Sequence, residues 1–235
     1  MATFVLVHGA WSGAHGFRHV RRSLTKLGHE VFTPSLTGIG ERVHLTSPSV
    51  GLHTHVDDLV NHVLYEDLDP IVLLGFSYGG MVVTGALDAI ADRVVQLVYL
   101  DAFVPADGDS LFGLLGLDDR PTPTVGSDWQ VLAAPRVFDD PNEADFINPR
   151  RVPHPVRCFT ERVTLSQPLE EFSFGRTYIR ATADSLTLPA PPCSKRPPRT
   201  PAPRPDGTHA RSPPITWCRA TGPTNWWRSS TSWPD

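Results

Sequence analysis

Long apolar stretches, cysteine and an excess of basic charge are all scarce in this 235-residue sequence. No apolar run approaches the roughly 18 residues that a membrane-spanning helix needs, so we expect no transmembrane segment and no membrane partner. The three cysteines (Cys158, Cys193 and Cys218) form no Cys-x-x-Cys pair, which argues against a disulfide framework and a zinc site. The formal net charge of −4 argues against a general nucleic-acid-binding protein. The N-terminus lacks the features of a secretory signal, so we expect a cytoplasmic protein.

Proline is abundant, and its uneven distribution divides the chain. Twelve of the 24 prolines and four of the six tryptophans lie in residues 186–235, which contain no valine, phenylalanine, tyrosine, methionine, glutamate or glutamine. That segment carries a net charge of +5, whereas residues 1–185 carry −9. We interpret residues 1–185 as one folded domain and residues 186–235 as an aberrant or disordered tail rich in proline and arginine.

Residues 1–185 alternate between short apolar runs and amphipathic segments, which predicts an α/β fold with a mostly parallel sheet and helices on both faces. The expected strands are Thr3–Val7, Glu30–Thr33, Ile71–Leu74, Val94–Leu100 and Arg176–Ala181. The expected helices are Gly16–Leu27, Val56–Leu64 and Gly80–Ala91. Between about residues 105 and 174 frequent prolines interrupt this rhythm, and we expect an insertion that folds over one end of the sheet as a small cap.

A G-x-S-x-G motif, Gly75 to Gly79, lies between the third expected strand and the third expected helix. This setting is typical of a nucleophile elbow, in which a strained turn holds the central serine, here Ser77, with its hydroxyl clear of the sheet. Glycine is needed two residues before and after the serine, because a side chain there would collide with the neighbouring strand and helix. The N–H of Tyr78 would then face the oxygen of an attacked carbonyl. The alternative is a glycine-rich turn that serves packing alone.

The segment His8-Gly9-Ala10-Trp11 follows the first expected strand. An oxyanion hole needs a second backbone N–H, usually from a loop after an early strand, and the N–H of Ala10 is the candidate. We expect His8 to orient this loop rather than to act as a base. The alternative is a tight turn without a catalytic part.

A serine nucleophile needs a histidine base that is oriented by an acid, and in this architecture the acid and then the histidine follow later strands. Asp184 lies three residues beyond the fifth expected strand, where the acid belongs, although a solvated turn aspartate is the alternative. His209 is the one histidine after Asp184, and with no strand before it and no helix after it, it is a weak candidate for the base. Most other histidines are expected on surface helices or loops: His19, His29, His44, His53, His55, His62 and His154.

Together these motifs give residues 1–185 a resemblance to the α/β-hydrolases, in particular to the branch of small methylesterases and hydroxynitrile lyases. The segments that carry the resemblance are FVLVHGAW, LTKLGHEV, IVLLGFSYGGMVV, LVYLDAFVP and TYIRATAD. The resemblance implies a parallel sheet with a small helical cap. It implies Ser77 as nucleophile, the N–H groups of Ala10 and Tyr78 as the oxyanion hole, and Asp184 as the triad acid. It also implies a small-molecule ester substrate and neither a metal nor an organic cofactor.

Two chemistries occur in this branch, and the loop after the first strand helps to separate them. The lyases carry a threonine after the first histidine of this loop and a lysine just after the catalytic histidine. This sequence has Gly9 at the first position and nothing that supplies the lysine. The resemblance therefore favours a carboxylesterase that forms an acyl-enzyme, with a hydroxynitrile lyase and a catalytically inactive ligand-binding homologue as alternatives. The cap residues expected to line an apolar pocket are Leu111, Phe112, Leu114, Leu115, Trp129 and Phe159.

The tail departs from the family, which continues past the acid with a helix, a last strand, a histidine-bearing loop and a final helix. Twelve prolines are incompatible with these elements. We therefore expect a sheet that is incomplete at its C-terminal strand and helix, and an esterase impaired by the lack of a family-like histidine. The tail composition resembles GC-rich DNA read out of frame. Reading each codon's third base with the next two bases forces valine at Trp217–Cys218 and permits Asn-His-hydrophobic-Val-Pro from Pro214 to Arg219.

The out-of-frame hypothesis predicts that resequencing the 3′ part of the gene will reveal a single-base error close to codon 186. Restoring the frame is expected to encode an Asn-His loop followed by an amphipathic helix. Intact mass and peptide mapping of the protein check the same point. A verified in-frame tail contradicts the hypothesis.

Overall fold

The computed structural model describes residues 1–117 and 129–181, together with the backbone of residues 216–220. The strands are β1 (Thr3–Val7), β2 (Glu30–Phe32), β3 (Ile71–Phe76), β4 (Val94–Leu100), β5 (Gln130–Val131), β6 (His154–Pro155), β7 (Gly175–Ala181) and β8 (Thr216–Ala220). The α-helices are α1 (Arg18–Lys26), α2 (Leu52–Tyr65), α3 (Gly79–Gly85), α4 (Leu87–Ile90), α5 (Leu111–Leu114), α6 (Pro141–Ile147) and α7 (Arg157–Thr160).

Six strands form one parallel sheet in the order β2-β1-β3-β4-β7-β8. In the register of the central strands, Val5 pairs with Leu73, and Leu73 pairs with Leu97. Since parallel strands need crossover connections, the intervening helices are carried to the faces of the sheet. The predicted α/β class and its mostly parallel sheet are confirmed.

The core occupies both faces of this sheet, because successive side chains of a strand point to opposite sides. The side chains buried on the α1 side are Phe4, Leu6, Phe17, Val20, Val72, Leu74, Val98 and Leu100. The cluster on the opposite side includes Val5, Val7, Leu59, Val63, Ile71, Leu73, Val82, Val83, Leu87, Leu97 and Tyr99, from the strands and from α2, α3 and α4. Each buried Val or Leu of this kind stabilises the fold by about 1.5–3 kcal/mol.

Helix boundaries differ from the sequence expectation in each of the three expected helices, and α2 begins at Leu52 rather than at Val56. The expected helix over 80–91 is divided into α3 and α4 at Ala86. Leu27, the last residue of the expected first helix, lies outside α1 and is 66% exposed. The reason is that α1 ends at Lys26, and Gly28 takes the left-handed φ of +87° that turns the chain away, so Leu27 no longer follows the helical periodicity.

The edge of the sheet beyond β7 carries one further short strand. The backbone of β8 pairs in parallel with β7, from Thr177 opposite Thr216 to Ala181 opposite Ala220. An open edge strand offers unpaired N–H and C=O groups that any suitable segment can satisfy. Residues 215–222 contain no proline and begin with Ile-Thr-Trp, residue types that favour strands, so the tail can supply this segment.

The stretch 105–174 contains α5, α6, α7 and the antiparallel pair of β5 and β6. Two polar side chains cap its helices: Ser110 accepts from the Gly113 N–H of α5, and Asp140 accepts from the Asn142 N–H of α6. Residues 182–185, which include Asp184, and the tail apart from β8 lie outside the described residues. Within the described part, no helix has the length and apolarity needed to cross a bilayer.

Replacing Gly79 with alanine is expected to lower the free energy of unfolding by about 2 kcal/mol or more, because overpacking of this kind typically costs 1–3 kcal/mol. The new Cβ would lie 2.5 Å from the Val7 carbonyl oxygen and 2.9 Å from that of His8, and neither backbone group can rotate away. Urea unfolding measures the change. Gly16→Ala is the matched control, because its Cβ would meet only Ser12 Oγ at 3.4 Å, and it is expected to be neutral or slightly stabilising. Equal stabilities of the two variants would contradict the prediction.

Candidate active site

The backbone between β3 and α3 is strained at Ser77, whose φ is +54°. A residue with a side chain avoids this left-handed region unless its surroundings hold it there. The Ser77 N–H donates to the Leu100 carbonyl at 3.3 Å, and the Ser77 carbonyl accepts from the N–H groups of Gly80 at 3.1 Å and Phe103 at 3.2 Å. Ser77 is half-buried rather than packed into the interior. The turn therefore has the geometry of the predicted nucleophile elbow.

The elbow glycines are required by close approach. A Cβ on Gly75 would lie 2.7 Å from the Gly79 carbonyl oxygen, a distance that real Cβ contacts essentially never show. The loop after β1 comes equally close on the other side, because a Cβ on Gly9 would lie 3.1 Å from the Cβ of Ser77. The tertiary structure thus brings the His8–Trp11 loop directly against the candidate nucleophile.

The predicted oxyanion donors are the N–H groups of Ala10 and Tyr78, and both residues are buried, at 8% and 1% exposure. Within residues 1–117 and 129–181, neither N–H group donates a hydrogen bond. Buried backbone N–H groups nearly always have a partner, so two unpaired ones beside one serine are unusual. The arrangement leaves both donors available to an oxygen that carries negative charge.

The expectation that His8 orients the loop is confirmed. His8 is buried; its Nε2 accepts from the Leu36 N–H at 3.2 Å, so its proton lies on Nδ1, which donates to the Gly9 carbonyl at 3.0 Å. That carbonyl belongs to the same peptide unit as the Ala10 N–H, so the bond orients the candidate donor. Burial lowers the pKa of His8 to about 4, and the ring is neutral at physiological pH.

The prediction that His55 and His154 lie on surface helices or loops is wrong. Both are fully buried. His55 bonds to the Tyr78 hydroxyl at 2.9 Å and to the Thr37 carbonyl at 2.8 Å, and His154 Nδ1 accepts from the Trp11 N–H at 3.1 Å. Burial lowers the pKa of His55 to about 3 and lowers that of His154 well below its usual value.

One of these histidines could have been found from the sequence. In α2, His55 shares a helix face with Leu52, Leu59 and Val63, at spacings of three, four and eight residues, and all four are buried. No such periodicity marks His154, because it lies in a two-residue strand of the cap. Its burial depends on the packing of the cap against the sheet.

Cap residues place aromatic rings beside Tyr78 and Trp11. Phe159 lies 5.5 Å from Trp11 and 5.7 Å from Tyr78, centroid to centroid, and stacks on His154 at 4.6 Å. Phe112 lies 5.6 Å from Phe159. Leu111 is buried and Leu114 and Leu115 are partly buried in the same cluster, while Trp129 is half-buried. Of the residues expected to line an apolar pocket, Phe159 thus packs on Tyr78 of the elbow and Phe112 packs on Phe159, and the pocket itself stays a prediction.

Among the described residues, His55, His154 and Cys158 could in principle hold a metal ion, because one ligand atom of each lies within 4.8 Å of the others. The donor chemistry does not favour it. Both nitrogens of His55 and Nδ1 of His154 are engaged in hydrogen bonds, and burial raises the pKa of the Cys158 thiol well above its usual value. A neutral, hydrogen-bonded cluster fits these atoms better than a metal centre.

The predicted acid Asp184 and the weak base candidate His209 both lie outside the described residues. Another acid, Asp101, directly follows β4 beside the elbow strand and has a φ of +42°. Its N–H donates to the Ile179 carbonyl at 2.7 Å, and burial raises the pKa of its carboxyl group. The bond extends the pairing of β4 and β7 to the end where the elbow lies.

A family model for the alpha/beta hydrolase family matches residues 4–224. The chain belongs to this family. Within it, residues of this alpha/beta hydrolase are 53% identical over 115 positions to the carbendazim hydrolyzing esterase of Nocardioides sp. (strain SG-4G), covering 49% of the chain and 48% of the relative. They are 33% identical over 113 positions to methylesterase 2 of Arabidopsis thaliana, covering 43% and 40%. The chain thus aligns with half or less of the length of these two relatives.

The hydrolase fold is also seen in a solved structure. An extracellular alpha/beta-hydrolase from a Paenibacillus species superposes with a TM-score of 0.72 and 22% identity, covering 94% of this chain and 90% of that one. The resemblance inferred from the sequence motifs is confirmed.

The hydrolase is expected to lose stability as the pH falls from 6.5 to about 4. In that interval the unfolded chain protonates His8 while the folded state keeps it neutral, so the free energy of unfolding drops, by on the order of 3 kcal/mol for this histidine. Urea unfolding across this range measures the slope. His8→Asn is expected to reduce it, and the same change at the exposed His44 is expected to leave it unaltered. Identical slopes in the two variants would contradict the assignment.

Proposed function

We propose that this chain is a serine carboxylesterase that cleaves small, partly apolar esters through an acyl-enzyme. The observation that carries the proposal is the strained Ser77, held at φ +54° near the buried Ala10 and Tyr78, whose N–H groups have no partner within residues 1–117 and 129–181. Elbow strain of this kind persists where function requires it. The esterases among its relatives support the same reaction class.

The proposed reaction has two steps. Ser77 Oγ attacks the ester carbonyl carbon as its proton passes to a base, and the tetrahedral oxyanion collapses with loss of the alcohol, which takes up the proton. Water then attacks the acyl-enzyme, releasing the acid and restoring the hydroxyl. The N–H groups of Ala10 and Tyr78 stabilise the oxyanion in each step; removing one such donor typically costs about 10²–10³ in kcat.

Esterase chemistry is favoured over the hydroxynitrile-lyase alternative by the space at Gly9. Any side chain there would start 3.1 Å from the Ser77 Cβ and 3.2 Å from the Phe76 carbonyl oxygen. A threonine, which the lyases place at this position, would require these neighbouring atoms to shift by a few tenths of an ångström. The glycine leaves the face of the serine open to an ester group.

The proposed esterase lacks a suitable general base among the buried histidines near Ser77. The three fully buried histidines around the loop and elbow, His8, His55 and His154, each use the lone pair of one ring nitrogen to accept a hydrogen bond. None is therefore free to take the proton of Ser77. With Asp184 as the proposed acid and His209 as a poor base, we expect Ser77 to be a weak nucleophile and turnover to be far slower than an intact triad allows.

Two further parts of the proposal follow the sequence interpretation. Residues 1–185 form the hydrolase domain with its cap, and residues 186–235 form an aberrant tail rich in proline and arginine, from which β8 pairs with β7. The partner is a small-molecule ester, and the location is cytoplasmic, although the Paenibacillus relative is extracellular.

Hydrolysis of p-nitrophenyl acetate by the purified chain tests the proposal. We expect slow turnover that Ser77→Ala abolishes, because the residual rate depends on the Ser77 hydroxyl. Ser173→Ala is the matched control, since Ser173 is an exposed serine away from the elbow, and it is expected to keep the full rate. If Ser77→Ala retained the rate, the serine mechanism would be wrong. Fast turnover lost in Ser77→Ala would support the mechanism and overturn the impairment.

A further inference from the structure

Three buried rings, those of His55, Tyr78 and His154, connect the two candidate oxyanion donors. Tyr78 carries one donor on its own backbone, and Trp11, which is bonded to His154, directly follows the other donor, Ala10. The His154 ring meets the Tyr78 ring edge-on with centroids 5.1 Å apart, and the His55 ring meets it at 5.8 Å. The supports of the two donors are therefore in contact.

The direction of each hydrogen bond follows from what each group can do. The Thr37 carbonyl can only accept, so His55 carries its proton on Nε2 and donates it at 2.8 Å. His55 Nδ1 is then an acceptor and receives the Tyr78 hydroxyl at 2.9 Å. The backbone N–H of Trp11 can only donate, so His154 Nδ1 accepts it at 3.1 Å, and His154 carries its proton on Nε2.

Residues of the cap form a hydrogen bond with each polar group of Trp11: its backbone N–H, its carbonyl and its indole N–H. His154 takes its N–H, the Val152 N–H donates to its carbonyl at 3.2 Å, and its indole Nε1–H donates to the Val131 carbonyl at 2.9 Å. Trp11 has a φ of +59°, a conformation that a tryptophan adopts only when the surroundings impose it. The hydrogen bonds from the cap hold Trp11 in this left-handed conformation.

We propose that His154 is a positioning residue of the oxyanion hole: by holding the Trp11 N–H, the cap fixes the peptide that follows Ala10 and so aims the Ala10 N–H at the substrate oxygen. The Tyr78–His55 hydrogen bond supports the second donor in the same way. The proposal rests on the proposed esterase function, and it gives the cap a part in transition-state stabilisation as well as in covering the site.

Removing the imidazole would leave the buried Trp11 N–H without an acceptor, so the strained turn would relax and the Ala10 N–H would move. His154→Leu is therefore expected to lower kcat by roughly tenfold or more with KM little changed, since a loss confined to the transition state acts on kcat. His154→Asn places an amide oxygen close to the position of Nδ1 and is expected to recover most of the rate. Tyr78→Phe, which keeps the backbone donor, is expected to lower kcat by a few-fold.

The experiment measures p-nitrophenyl acetate hydrolysis above the Ser77→Ala background, together with amide hydrogen exchange of the peptide that contains Ala10 and Trp11. Exchange is expected to be slow in the original chain, fast in His154→Leu and slow again in His154→Asn. His62→Leu is the matched control: His62 is a partly buried histidine of α2 that packs on Phe32, and its replacement should change neither readout.

Three outcomes distinguish a positioning role of His154 from a purely structural role and from failure of the esterase proposal. If His154→Leu leaves exchange and kcat unchanged, the positioning role is overturned. If exchange quickens but kcat holds while Ser77→Ala abolishes turnover, the bond is structural only and the role is again overturned. If the original chain is no faster than Ser77→Ala, the esterase proposal fails, and the exchange pattern alone decides whether His154 holds the loop.

Discussion

The strained backbone of Ser77 is the constraint on which the site depends. A serine at φ +54° has no local reason to stay there, and the Leu100 carbonyl and the Phe103 N–H hold it from the neighbouring strand and the loop beyond it. Those partners are in place because β3 and β4 pair in parallel register up to Phe76 opposite Leu100. The close approaches at Gly75 and Gly79 then follow, since the turn must pass between β1 and α3 without room for a side chain.

Three buried, neutral histidines have a similar structural role in this molecule. His8, His55 and His154 each accept one hydrogen bond through a ring nitrogen, and His8 and His55 donate through the other nitrogen to a backbone carbonyl. Burial penalises the charged form, so the rings remain neutral and keep their acceptor nitrogens. The loop after β1, the elbow and the cap are thereby linked by polar bonds inside an apolar cluster. The same engagement prevents these histidines from acting as the base that a serine hydrolase needs.

Local patterns predicted the frame of the fold well. The strand Val94–Leu100 matches the expected bounds, and β1 does too, because continuous apolar runs between turn residues are typical of strands buried on both faces. Helix ends were less predictable. The division at Ala86 and the exposure of Leu27 depend on where the chain leaves each helix, and the apolar periodicity does not carry that information. The pairing of β8 with β7 depends on an open sheet edge, which exists only once the sheet has formed.

The sequence alone determined the fold class, the elbow motif and the loop that faces it, because glycine spacing and strand–helix alternation are local properties of the chain. Only the tertiary structure decided that His55 and His154 are buried and that cap residues form hydrogen bonds with Trp11. It also decided that the N–H groups of Ala10 and Tyr78 have no partner in the described part of the chain. The physical reason is that the identity of a residue does not indicate whether its imidazole ring or its backbone amide will be buried or hydrogen-bonded. Whether it is buried, paired or free depends on segments that are distant in sequence, such as Trp11 and His154, which meet only when the cap packs against the sheet.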